Sequence, residues 1–327
     1  MDNFLIVAGQ VAILFALMAV GAVLRKVRLL TDASVEGMVN LLILIVTPCL
    51  IVDVFQRPFS PSMLRGLLIA FAIAVAGHLA VIAAAYLFVR HPDENVCRPM
   101  RLAAVFSNAG FMGLPLEQAV LGDAGVFYGV VYIVVFNLFM WSWGHETMKR
   151  EEGKRKKDAA EKAERRFAFH FSFFTLHSLV NPGTVGIAFG LPLFFLSAKL
   201  PSFVGTPVHL LAGLNTPLAM IVIGYGLAGA RLGRAVRTPV LHVAAFIRLV
   251  AYPLLVVAAM VPFRHQLDRN MMLAVTIAAS APVAAMVSMF ATLFKRDVDT
   301  SVAVVSGTTL LSILTMPPVI ALAMSVL

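Results

Sequence analysis

The chain has 327 residues, of which 60% are hydrophobic and 13% charged. A bilayer-crossing helix takes roughly 20 apolar residues, so the apolar inventory suffices for about ten spans, and the charged share is about half of the ~25% usual in soluble domains. This excludes a soluble globular domain, a disordered chain and a nucleic-acid binder; the net charge of +9 has to be read from where it lies along the chain.

The apolar runs fall at 3–24, 35–55, 66–89, 102–121, 124–146, 180–198, 207–230, 238–262, 270–294 and 298–325. They predict an all-α integral membrane protein with ten transmembrane helices. The first run is long and no positive segment precedes it, so it reads as a membrane helix and not as a cleaved signal peptide. Cys49 lies in an apolar run and Cys97 in a polar loop, and neither has metal-ligand spacing around it.

Charge collects between the spans. Numbering the loops by the spans they join, the odd-numbered ones (1–2, 3–4 and so on) carry 20 Lys and Arg against 5 on the even-numbered ones. The basic side is cytoplasmic by the positive-inside rule, which puts both termini outside a cell inner (plasma) membrane. Lys149 to Arg166 holds nine positive and five negative charges. It reads as a solvated helical extension beside anionic headgroups. The Phe-rich stretch from Phe167 to His177 reads as interfacial.

Five spans precede this charged linker and five follow it. Because five is odd, two copies of a five-helix unit face opposite ways, the inverted-repeat plan of many carriers. The expected organisation is a first repeat over 1–146, a linker over 147–179 and a second repeat over 180–327. Thr47-Pro48 in span two answers Thr216-Pro217 in span seven. Ser107-Asn108-Ala109-Gly110 in span four answers Ser280-Ala281-Pro282-Val283 in span nine, and His78 in span three answers Arg248 in span eight. The three pairs keep one order and nearly one spacing.

Span four reads Ser107-Asn108-Ala109-Gly110-Phe111-Met112-Gly113-Leu114-Pro115. Two glycines, an Asn and a Pro at mid-membrane oppose a continuous helix. Pro282 opens the ladder at the matching depth of span nine. Unwound backbone in a bilayer survives only inside protein or beside a wet cavity. Spans four and nine are therefore expected to break and cross, turning half-helix N-termini toward an anion. The substrate-binding residues expected from this are Ser107, Asn108, Ala109, Gly110, Ser280, Ala281 and Pro282.

Single polar residues in the spans are read beside them. Asn108 either caps its half-helix, contacts substrate, or does both. Arg248 attracts a carboxylate, snorkels to the interface, or bonds loose carbonyls of span nine. His78 reads as a packing histidine more readily than as a proton relay. Glu117 is expected near the outer end of span four, in contact with water. Asn137, Ser306, Thr308 and Thr309 either line the site or bond neighbouring helices; His78, Asn137, Arg248 and Thr309 form the expected surrounding set. Gly186 and Gly190 form a G-x-x-x-G pair for close packing.

The sequence has no phosphate-binding loop, no G-x-S-x-G elbow and no His/Glu metal cluster. No enzyme, no cofactor and no metal site is expected, and transport would run on ion or substrate gradients. Few acidic residues fall at mid-span, which argues against a dedicated carboxylate site for Na⁺ or H⁺.

Taken together, these residues resemble the auxin efflux carrier family over nearly the whole chain. The similarity rests on Gly21-Ala22-Val23-Leu24-Arg25, on Asn108 with Met112-Gly113-Leu114-Pro115-Leu116, and on Asn181-Pro182-Gly183 followed by Gly190-Leu191. It continues through Pro217-Leu218-Ala219 with Gly224 and Leu227, Pro282 with Phe290-Ala291, and Leu311-Ser312 with Thr315-Met316-Pro317. The resemblance implies two inverted five-helix repeats and an elevator mechanism. Helices 1, 2, 6 and 7 would form the scaffold and a homodimer contact, and helices 3–5 and 8–10 the moving part. It further implies a small organic anion, auxin-like or a dicarboxylate such as malonate or malate, bound where helices four and nine cross. Two departures stand out: Ser107-Asn108 replaces the Pro-Asn of plant members, and a short charged linker replaces their long central loop. The alternatives are a non-transporting membrane sensor or scaffold of the same fold, and an ion-coupled symporter of another small solute. A sensor would usually append a signalling domain.

Overall fold

The computed structural model describes residues 2–149, 182–230 and 237–327. Most of the charged linker and all of the Phe-rich stretch lie outside these residues. The described residues form helices, with no strand beyond one isolated antiparallel bridge. In chain order these are α1 (Asp2–Lys26), α2 (Asp32–Phe55), α3 (Pro61–Phe88), α4 (Glu94–Val105), α5 (Leu114–Leu121) and α6 (Asp123–Met148). They continue as α7 (Pro182–Phe195), α8 (Ser202–Gly229), α9 (Pro239–Phe263), α10 (Arg269–Ser280), α11 (Met286–Leu293) and α12 (Val298–Val326). Among the described residues, seven of these, α1, α2, α3, α6, α8, α9 and α12, are long and apolar enough to cross a membrane.

The helix starts follow from capping. Asp93 accepts from the Asn95 N–H at 2.8 Å, Asp268 from Met271 at 2.9 Å and Asp297 from Thr300 at 2.9 Å. Each carboxylate satisfies an orphan donor and complements the positive helix end. Proline occupies the first turn of α3 and α9, where its missing N–H costs nothing. Inside helices proline acts differently. Wide π-turns at Leu42–Val46, Ala109–Gly113 and Ile247–Ala251 run directly up to Pro48, Pro115 and Pro253. A proline there removes one rung and crowds the carbonyl a turn earlier, and the wide turn absorbs the mismatch. A fourth π-turn, Met140–Gly144, has no such proline, and nothing in the structure explains it.

Packing sorts the helices into two groups. α1 lies on the second half of α8, and α2 on α7 and the first half of α8. The contacts are backbone-close. A Cβ at Gly21 would meet the Ile221 backbone, and one at Gly224 the Met18 backbone. Gly186 and Gly190 of α7 stand 3.0 Å from Pro48 Cα and Phe55 Cβ of α2, counted from where a Cβ would be. Lipid gives little hydrophobic drive between helices, so small residues that admit dispersion contact hold such a pair. The second group joins α3–α6 with α9–α12, with α10 against α6 and α12, and α4 against α3 and α9.

Three expectations are corrected. Span four begins well before residue 102: α4 starts at Glu94, because Asp93 caps it and Arg98 and Arg101 lie along the helix. Cys97 is thereby a buried helical residue and not a loop residue, with its thiol on the Val89 carbonyl at 3.5 Å. Arg25, Lys26 and Arg65, counted as loop charges, also sit on helices; long cationic side chains place their heads at the interface from helix ends.

Candidate functional site at the helix crossover

α4 and α5 are interrupted at Phe106–Asn108, and α10 and α11 at residues 281–285. The two interruptions meet as extended chains. Ser107 pairs with Val283 in the antiparallel bridge. The Asn108 N–H donates to the Pro282 carbonyl at 2.6 Å, and the Ala284 N–H donates to the Phe106 carbonyl at 2.9 Å. Each break thus satisfies backbone groups that the other leaves open, as buried unwound chain requires. Thr308 of α12 closes a third gap: its Oγ1 accepts from the Val283 N–H at 3.2 Å and donates to the Val304 carbonyl at 2.7 Å.

Four helix ends converge here, the C-termini of α4 and α10 and the N-termini of α5, with its π-turn, and α11. Arg248, in the π-turn of α9, is fully buried. Its Nη1 donates to the Val105 carbonyl at 2.7 Å, and its Nη2 donates to the Ala279 carbonyl. These carbonyls close α4 and α10. A helix C-terminus carries about half a negative charge, so two of them balance one guanidinium. Among the described residues no carboxylate caps either N-terminus. The guanidinium also lies 4.6 Å above the Tyr252 ring, and the Tyr132 hydroxyl meets that of Tyr252 at 3.3 Å.

The seven expected binding residues are brought together, with unequal roles. Asn108 is 8% exposed, and its amide makes no hydrogen bond among the described residues. Two residues on, a Cβ at Gly110 would meet nothing within 4 Å. The Ser107 hydroxyl is buried without a partner among the described residues. The Ser280 hydroxyl is spent on the Ile277 carbonyl at 2.9 Å, while Ala281 and Pro282 are buried in the crossing chain. Ala109 heads the π-turn before α5.

The surrounding set divides. Arg248 touches the crossover through carbonyls. His78 is buried, bonds Ala74 O at 2.8 Å through Nδ1, and stacks on Phe139 at 5.2 Å; its Nε2 has no partner. Asn137 bonds the Ile133 carbonyl of its own helix and lines a narrow crevice with Ile51, Val130, Gly183 and Ile187, none of them in either break. Thr309 bonds Val305 O of its own helix at 2.7 Å, and its neighbour Thr308 makes the contact expected of the pair.

One expectation is overturned. Glu117 is not in contact with water: it is fully buried, and neither carboxyl oxygen has a partner among the described residues. Asn215, just before Thr216-Pro217, is likewise buried with both amide atoms unbonded.

Long apolar helices around a buried crossing of broken ones define a multi-pass membrane protein of the transporter class. The family model described as membrane transport protein, that of the auxin efflux carriers, matches residues 6–320, and the chain belongs to that family. No curated protein matches the chain.

Proposed function

We propose that this membrane transport protein is a secondary carrier of small organic anions, auxin-like or dicarboxylate, and that it binds them at the crossover. The observation that carries the reading is the charge and hydrogen-bond balance there. Arg248 offsets the two C-terminal ends. The N-termini of α5 and α11, each equivalent to about half a positive charge, and the unbonded Asn108 amide remain. One carboxylate matches that complement.

In this reading residues 1–146 and 180–327 are two inverted five-helix repeats, with α4–α5 and α10–α11 as the broken fourth and ninth helices of ten. α1, α2, α7 and α8 form the scaffold of a homodimer in the cell inner membrane, and the second helix group slides along it as an elevator. The close pairing of α1 with α8 and of α2 with α7 supports this division. Ser107, Asn108, Ala109, Gly110, Ser280, Ala281 and Pro282 surround the anion, through main-chain groups and the Asn108 amide above all, and Arg248 acts from behind the crossover. The protein's task is to bind a carboxylate loosely enough to release it. Dipole ends and an amide give weaker attraction than a free arginine pair would.

The test is uptake of labelled malonate, malate and indole-3-acetate into proteoliposomes that hold the purified chain. Saturable uptake or counterflow of at least one, blocked by an excess of the unlabelled acid, is expected. Equal flux through empty vesicles for the whole panel would sink the reading.

A further inference from the structure

Glu117, in the first turn of α5, takes no part in the crossover as described. The carboxyl lies where the protein has made room for it. A Cβ at Gly129 of α6 would overlap the carboxyl, 2.6 Å from Oε1 and nearer still to Oε2. At Gly113 a Cβ would stand 4.0 Å from Oε1 and 3.6 Å from Ala278 Cα of α10. The carboxyl is thus enclosed between α5, α6 and α10, in a cradle that any larger residue at 129 would fill.

Among the described residues no side chain in that cradle pairs with a negative charge. The helices packed against α5 are α6, α10, α1 and the second half of α8. Among the described side chains their ionisable groups are Asp123, Tyr128, Tyr132, His145 and Glu146 on α6, Arg269 on α10, Arg25 and Lys26 on α1, and Tyr225 on α8. None of them bonds or ion-pairs the Glu117 carboxyl. A buried carboxylate without a partner is among the most costly groups a protein can hold, and a proton removes the charge. Ionisable groups kept inside a membrane protein at that cost mark ion pathways.

We propose that Glu117 is a proton-binding site and that its proton is the coupling ion of transport. The coupling rests on the carrier reading given above. The proton enters from water on one side, crosses as the O–H of the buried acid, and returns to water when the carboxyl is wetted on the other side. On entry the carboxyl O–H forms as a hydronium O–H breaks, and on release it breaks as water takes the proton back.

Two measurements on the full-length protein in proteoliposomes decide this. The first needs no substrate: infrared difference spectra across a pH titration. The carbonyl stretch of a protonated carboxylic acid is expected in the wild type, lost on titration and absent from Glu117→Gln. Identical spectra for the two proteins would overturn the site. The second compares counterflow with accumulation of the malonate, malate and indole-3-acetate panel. A gradient of about one pH unit supplies about a ten-fold accumulation ratio for each coupled proton. Glu117→Gln should keep counterflow, which shows that it is folded, and lose that ratio. Undiminished accumulation by the variant, or accumulation driven by a sodium gradient alone, would overturn the coupling. If no acid on the panel moves through the wild type, the carrier reading fails, and the spectra still decide whether Glu117 holds a proton.

Discussion

Arg248 donates to the Val105 carbonyl at 2.7 Å and, with its other terminal nitrogen, to Ala279. One side chain of α9 therefore ties the ends of two short helices that have no covalent continuity with each other. Arg248→Gln removes the charge and the fork together. Each buried carbonyl left unbonded costs about 1–3 kcal/mol, and the paired helix dipoles lose their counter-charge. A clearly lower melting temperature in mild detergent is expected, with Arg248→Lys intermediate, because an ammonium lacks the planar fork. Melting of Arg248→Gln at the wild-type temperature would contradict this role.

The α1–α8 contact gives a second, purely steric expectation. A Cβ at Gly224 would stand 2.6 Å from the Met18 carbonyl carbon, whereas one at Gly226 would meet nothing within 4 Å. Gly224→Ala must push two backbones apart, an overpacking cost of about 1–3 kcal/mol. Gly226→Ala adds no clash, and Ala is favoured over Gly in a helix. Thermal melts of the two variants should therefore differ in sign or nearly so. Equal melting would mean that α1 and α8 are not in contact as described.

Much of this was legible in the sequence. The apolar runs marked the helices, because a spanning segment needs about 20 apolar residues and few other structures use them. Asn108, Gly110 and Pro282 marked the breaks, since each residue type opposes a helix for a known reason. What stayed hidden was rotation about helix axes. Thr308 reaches Val283 while Thr309 bonds only its own helix, and neighbours on a helix differ by about 100°. In a helix that is apolar all round, composition does not set that phase. Glu117 was misplaced for the same reason: depth along the span was read, but facing was not. The small residues Gly125 and Gly129 on the next helix were the available signal, a gap sized for a side chain from elsewhere. Arg248's partners were hidden because they are carbonyls, which every residue carries.

The Thr308 hydroxyl yields a third prediction. It is the acceptor for the Val283 N–H at 3.2 Å. Thr308→Val keeps the shape and strands that donor in a buried crossing, at a cost of about 1–3 kcal/mol. Thr309→Val removes only a bond to the Val305 carbonyl of its own helix, which keeps its place in the ladder. Hydrogen exchange of the Val283 amide should quicken in Thr308→Val and stay unchanged in Thr309→Val. The reverse order would show that Thr309 faces the crossover.

Orientation is open to a direct check. With 20 Lys and Arg between one set of spans against 5 between the other, the positive-inside rule predicts the linker on the cytoplasmic side. A cysteine placed at Gly153, in a background lacking Cys49 and Cys97, should resist a membrane-impermeant thiol reagent in intact cells and react after the cells are opened. Strong labelling of intact cells would invert the topology.

Asn108 carries the sharpest prediction. Its main chain and its side chain do separate jobs. The N–H donates to Pro282 and holds the crossing. The amide has no bond to the described residues. Replacing the side chain therefore spares the fold: Asn108→Ala keeps the N–H and should express and melt like the wild type. It removes the side-chain amide donor offered to a carboxylate, and a hydrogen bond to a charged group is worth about 1.5–3 kcal/mol. That predicts transport weakened by about ten-fold to a hundred-fold at limiting substrate. Asn108→Asp is the complementary variant. It is nearly the same size, but when ionised it places a negative charge where the two helix N-termini attract the substrate. It should transport less than Asn108→Ala, and more so as pH rises. If both variants carry the organic acids at the wild-type rate, the anion does not bind at the crossover.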